Sequence, residues 1–155
     1  MRLGTVILLL SLAACSDRGD PDPGGRILTE LQSVSSAVPD GATVDFRHDV
    51  PATWDSCDGR PETEGWNDIQ VGVQFRSDLA AEAILEFADR RLEGLGWVDD
   101  SKISGPLGPG LRWIRTLEDG TTARASLSPG TVDGASFYWN LDAIAPPHGQ
   151  RVSGC

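Results

Sequence analysis

Residues Ile69 to Phe75 read Ile-Gln-Val-Gly-Val-Gln-Phe, and this strict alternation most constrains the fold. Ile69, Val71, Val73 and Phe75 point one way and Gln70 and Gln74 the other, which is the period of a strand with one dry face. A few residues later the period changes. Ala81, Ile84, Leu85, Ala88, Leu92 and Leu95 fall on one stripe of a helix,. Glu82, Glu86, Asp89, Arg90 and Glu93 take the wet side, with Glu86 and Arg90 at a favourable i,i+4 spacing,. Ser77 or Asp78 is expected to cap the helix start. Gly96 is expected as its left-handed end, with Trp97 folding back on Leu92. A one-faced strand and a one-striped helix bury their apolar sides together only as two layers.

The rest of the chain supplies matching pieces. Ile27, Leu31, Val34 and Val38 have helical spacing, and Pro39-Asp40-Gly41 ends that helix,. Thr43 to Arg47 reads as a short strand. Asp49 to Asp68 reads as an irregular loop. Ser104 to Gly110 reads as a loop whose prolines remove the amide donors a phosphate cradle needs,. Leu111 to Leu117, Thr121 to Ser128 and Ser136 to Ile144 read as strands. Glu118-Asp119-Gly120 and Pro129 to Gly134 are the turns between them,. Trp97, Trp113 and Trp139 each sit on or beside an apolar face and are expected in the core. The expected architecture is α+β: one antiparallel sheet of about five strands with two helices on one face, in a single domain over residues 26–155.

The first residues carry a different signal. Arg2 precedes a short apolar run, Val6 to Leu12, which leads into Leu12-Ala13-Ala14-Cys15. The run is too short to span a bilayer as a mature helix, and small residues before a cysteine are the lipobox pattern. The chain thus resembles bacterial lipoproteins. That resemblance implies a signal peptide over residues 1–14 and a mature protein that begins at a diacylated or triacylated Cys15. It also implies a location on the extracytoplasmic face of the cell membrane. Residues 15–25 (Cys-Ser-Asp-Arg-Gly-Asp-Pro-Asp-Pro-Gly-Gly) hold no large apolar side chain and read as a tether,. Their Arg18-Gly19-Asp20 matches an adhesion tripeptide, at a length that chance supplies often. The formal net charge is −10, and one unit more negative once Arg2 leaves with the signal peptide. Such a surface repels nucleic acid and anionic headgroups, so membrane attachment falls to the acyl chains.

With Cys15 assigned to lipid, Cys57 and Cys155 remain, and in an exported domain they most simply form a disulfide,. Trp54-Asp55-Ser56-Cys57-Asp58-Gly59, Leu95-Gly96-Trp97, and Trp139-Asn140-Leu141 with the ending Ser153-Gly154-Cys155 resemble small, uncharacterised envelope lipoproteins of high-GC Gram-positive bacteria. Abundant glycine and proline, 18 and 10 residues, agree with a GC-rich genome. This resemblance implies no activity and no site residues.

Three constellations compete for a function. Asp55, Asp58, Glu62, Glu64 and Asp68 crowd one loop, but without the alternate spacing of a calcium-binding loop, and read as a solvated acidic stretch,. Trp54 and Trp66 flank Cys57, either stacked on a sugar or peptide or packed around the disulfide. His48 has Asp45 and Asp49 close in sequence, a conceivable His–Asp pair,. No nucleophile, zinc or nucleotide motif accompanies them. The expectation is a membrane-anchored, non-enzymatic module without a cofactor or metal, which binds an envelope protein or glycan through Trp54, Asp55, Asp58, Glu62 and Trp66. The competing reading is a small envelope hydrolase using the acidic loop residues, with or without a metal.

Overall fold

A computed structural model of the chain describes residues 18–106, 108–132, 136–150 and 152–154. The chain is α+β. Eight strands follow in order: β1 (Thr43–Val50), β2 (Trp54–Asp55), β3 (Gly65–Trp66), β4 (Ile69–Arg76), β5 (Val98–Gly105), β6 (Gly108–Thr116), β7 (Thr122–Val132) and β8 (Ser136–Ala145). Two α-helices, α1 (Arg26–Gln32) and α2 (Ala81–Gly94), precede β1 and β5. Six strands form one antiparallel sheet in the order β1-β4-β8-β7-β6-β5, and β2 pairs with β3 apart from it. A single cluster of buried side chains joins both helices to one face of the large sheet. Ile27, Leu31, Ile84, Ala88 and Leu92 come from the helices, and Val71, Val73, Phe75, Leu127 and Leu141 from the sheet. Trp97, Trp113 and Trp139 are buried in it as expected.

The differences from the sequence reading have local causes. The sheet has six strands because Val98–Gly105 pairs with β6. That segment is polar and lies at the edge of the sheet, where charged side chains blunt an open hydrogen-bonding rim,. Most of the expected loop Ser104 to Gly110 belongs to this hairpin, which turns between Gly105 and Gly108. The expected turn over Pro129 and Gly130 is strand, paired with Trp139 and Tyr138 of β8. Pro129 is tolerated there because the β6 ladder of β7 stops at Leu127, so one side of the strand is open,. The first helix changes to a 3-10 turn at Ser33–Ala37, which carries its apolar stripe on through Val34 and Ala37. Its start is held from upstream: the Asp22 carboxylate accepts the backbone N–H groups of Ile27 and Leu28 at 2.8 and 3.0 Å,.

Neither Ser77 nor Asp78 caps α2. Ala80 occupies the N-cap position, and Ser77 Oγ instead accepts the Leu79 N–H at 3.2 Å. The other end is as expected. Gly96 has φ +83, its N–H donates to the Glu93 carbonyl at 2.9 Å, and the Trp97 N–H donates to the Leu92 carbonyl at 3.0 Å. These two bonds are the Schellman ending.

Candidate functional site

The helices cover one face of the sheet and leave the other open. Residues opposite one another in a ladder share a face, so the register defines what the open face presents. One row crosses five strands: His48 on β1, Gly72 on β4, Asp142 on β8, Ser126 on β7 and Arg112 on β6. The next row holds Val50, Gln70, Ile144, Arg124 and Ile114.

Gly72 is the pivot of the first row. A Cβ there would stand 2.7 Å from His48 Nε2 and 2.8 Å from Asp142 Oδ1. The imidazole and the carboxylate therefore lean over the same bare stretch of backbone, and only glycine admits both. They are not hydrogen-bonded to each other. Phe46 packs beside the imidazole, ring centroids 5.6 Å apart. Partial desolvation against the sheet raises the Asp142 carboxyl above the usual aspartate range, and the nearby His48 offsets this only in part,.

The expected partners of His48 point elsewhere. Asp45 lies in the bulge of β1 and pairs with Arg76 at 2.6 Å. Asp49 faces the helices and accepts Gln32 Nε2 at 2.8 Å. The histidine thus meets an aspartate 94 positions away, not one of its sequence neighbours. The second histidine also has an aspartate. His148 Nδ1 is 2.6 Å from Asp119 Oδ2. Partial burial raises the Asp119 carboxyl, but two hydrogen bonds from Thr121 and the contact with His148 outweigh it and hold the group below its ordinary range.

A groove of about 390 Å³ opens on the bare face, lined by Asp100, Arg112, Arg124, Ser126, Asp142 and Ile144 among others. Through Arg124 and Ile144 it continues into a second depression of about 370 Å³, which reaches Asp68 and Val152. Volumes of this size suit small ligands. Among the described residues no ion pair engages either Arg112 or Arg124.

Of the residues singled out in sequence, Trp66 is tied to the far end of this groove by its bridge to Val152. Trp54 and Trp66 face each other across the β2–β3 pair, edge to face, with centroids 5.6 Å apart. Both are half-buried, between the two alternatives the sequence left open. The Arg18 guanidinium lies over Trp54 at 4.5 Å from the ring centroid, and the Arg18 carbonyl accepts Trp66 Nε1 at 3.3 Å,. Trp54 Nε1 is buried with no hydrogen-bond partner among the described residues. Part of the stretch read as a tether is therefore seated on the domain. The Pro21 carbonyl adds to this by accepting the His148 N–H at 2.8 Å.

Asp55, Asp58 and Glu62 do different jobs. Asp55 Oδ1 accepts the Cys57 N–H at 2.8 Å and shapes the turn,. Asp58 and Glu62 are exposed. Among the described residues no three His, Cys, Asp or Glu side chains converge on a point that could hold a metal ion. Cys57, Asp58 and Gly59 have φ of +47, +55 and +80, an uncommon run for a chain with two side chains in it,. Cys57 is buried, with Sγ 2.9 Å from the Thr63 carbonyl oxygen and 3.4 Å from Ser153 Oγ. The C-terminal segment lies against this loop: the Ser153 N–H donates to Trp66 O and the Gly154 N–H to Thr63 O. Cys15 and Cys155 lie outside the described residues.

Sequence reasoning missed Arg112, Arg124, Ser126 and Asp142. The readable hint was Gly72, a glycine inside an otherwise apolar alternation, which marks a close approach. Comparison of the chain with protein-family models, with curated proteins and with solved structures finds no match. Among the described residues no helix is long and apolar enough to cross a membrane.

Proposed function

We propose that this is a lipoprotein anchored through Cys15 at the extracytoplasmic face of the cell membrane. It works by binding an envelope partner, protein or glycan. The observation that carries the binding reading is the uncovered sheet face. It bears a groove with arginine and aspartate side chains, and the groove ends at Val152, which bridges to Trp66. An antiparallel sheet commonly leaves one face to solvent, so the groove and its charged lining, and not the bare face alone, support the reading. In this reading Trp66 joins the groove to the Trp54–Trp66 unit, and Asp55, Asp58 and Glu62 of the same loop supply further contacts. The lipid anchor is supported by the order of apolar run, small residues and Cys15 alone.

The test is capture from detergent-solubilised envelope with the lipidated protein as bait. Wild type should retain a partner, and joint Asp55→Asn, Asp58→Asn and Glu62→Gln substitution, which removes charge but keeps the turn acceptor at position 55, should weaken capture without lowering the melting temperature. Cys15→Ala should appear uncleaved or in the soluble fraction. Turnover of an envelope substrate that the triple variant abolishes would replace the binding reading with the hydrolase one. Soluble wild-type protein starting at another residue would overturn the anchor.

A further inference from the structure

The groove on the open face holds charges of both signs that do not satisfy each other. Arg112 and Arg124 are diagonal neighbours flanking Ser126, all three on one face of β6 and β7. Asp142 stands on β8 directly opposite Ser126. Among the described residues neither guanidinium lies within ion-pair distance of Asp142 or of Asp100 at the rim. The two arginines thus offer free planar donors, the geometry that takes a carboxylate two bonds at a time. The aspartate offers an acceptor next to His48, over a backbone stripped to glycine. Ile144 floors the space between.

The spacing selects a ligand. Arg124 on β7 and Arg112 on β6 stand one and two strand spacings from Asp142 on β8, about 5 and about 9.5 Å,. Fully extended chains of two and three residues span roughly 7 and roughly 10 Å, so a di- or tripeptide covers that range. We propose that the groove binds a short peptide with free ends, its C-terminal carboxylate on Arg112 and Arg124 and its amino group at Asp142. The proposal rests on the binding reading above and names the ligand class for it. Each end of such a peptide satisfies a charge that the protein leaves solvated, and a ligand with only one charge satisfies half of the site. The raised carboxyl of Asp142 agrees: an ammonium group would favour its ionised form, so peptide binding should pull that carboxyl down,.

The experiment uses the full-length protein in detergent and three probes: trialanine, N-acetyl-trialanine and trialanine amide. Titration followed by NMR should show trialanine binding at least about tenfold tighter than either blocked form, the ratio expected for losing one charge-assisted contact. Shifts should centre on Arg112, Arg124, Ser126 and Asp142. Joint Arg112→Gln and Arg124→Gln substitution should remove the preference for a free carboxylate. Asp142→Asn should remove the preference for a free amine. Equal affinity for the three peptides, shifts elsewhere, or no binding up to roughly 10 mM overturns the proposal. The blocked peptides test it even if a variant folds poorly. Envelope capture that survives the arginine substitutions would overturn this ligand class while leaving the binding reading in place.

Discussion

At Gly72 a missing side chain decides what two others can do. The His48 ring and the Asp142 carboxylate occupy the space its Cβ would take. Gly72→Ala should therefore lower stability by about 1–3 kcal/mol, the usual cost of overpacking, and a shifted His48 resonance would report the displaced ring. An unchanged melting temperature would show that the imidazole can swing away freely. Asp142 and Asp119 give opposite pH dependences. The Asp142 carboxyl is raised in the fold, so the native state holds its proton more tightly than the unfolded chain. Its contribution is fullest at low pH and is lost as pH rises through the raised value,. Asp142→Asn should thus raise the melting temperature at pH 7, by roughly 1–3 °C for an accessible group, with the gain vanishing toward pH 3. Asp119 is lowered, so its contribution is present above the ordinary carboxylate range and lost as pH falls through the lowered value,. Asp119→Asn should lower the melting temperature at pH 7, and the deficit should shrink in acid. Melting temperatures of the two variants should lie on opposite sides of wild type at pH 7 and converge on it in acid,.

At the scale of elements, α2 shows how far local rules reach. Its length, its stripe and its Schellman ending follow from the spacing of Ile84, Ala88, Leu92 and Gly96. Gly96→Val should destabilise by about 1–2 kcal/mol, since a β-branched residue resists positive φ, and equilibrium denaturation would measure it. No loss would mean that the helix can end elsewhere. Strand β4 was legible for a similar reason: one face is buried and the other is not, so the pattern is written into the residues. Strand β5 was hidden because an edge strand needs no dry alternation, and Asp99, Asp100, Ser101 and Lys102 carry none. Pro129 misled for a related reason, since a strand open on one side keeps a residue that a central position would reject. The candidate site was the least legible of all. His48 and Asp142 meet only through the registers of β1 on β4 and β4 on β8, and nothing near either residue in sequence announces the other.

For the whole molecule, the C-terminal segment closes on the loop around Cys57 through Ser153 and Gly154. That placement supports the expected Cys57–Cys155 disulfide. Peptide mapping without reduction should recover the two cysteines as one linked mass, and free thiols at both in oxidised material would refute the link. Reduction should cost at most about 4.7 kcal/mol, the chain-entropy figure for a loop of this length. The sheet order has a kinetic consequence as well. Strands β5 to β8 form a meander of neighbours, whereas β4, paired with β1 on one side, finds its other neighbour only in β8, from Ile69 with Ala145 to Phe75 with Trp139. Closing so long a span is slow, because chain entropy is lost before the contacts repay it. Until β8 emerges, the apolar row of β4 has a bare rim beside it, so a chain delivered from its N-terminus cannot finish its core part-way. Its first half must wait, unfolded and prone to stick, for nearly the last residues to arrive.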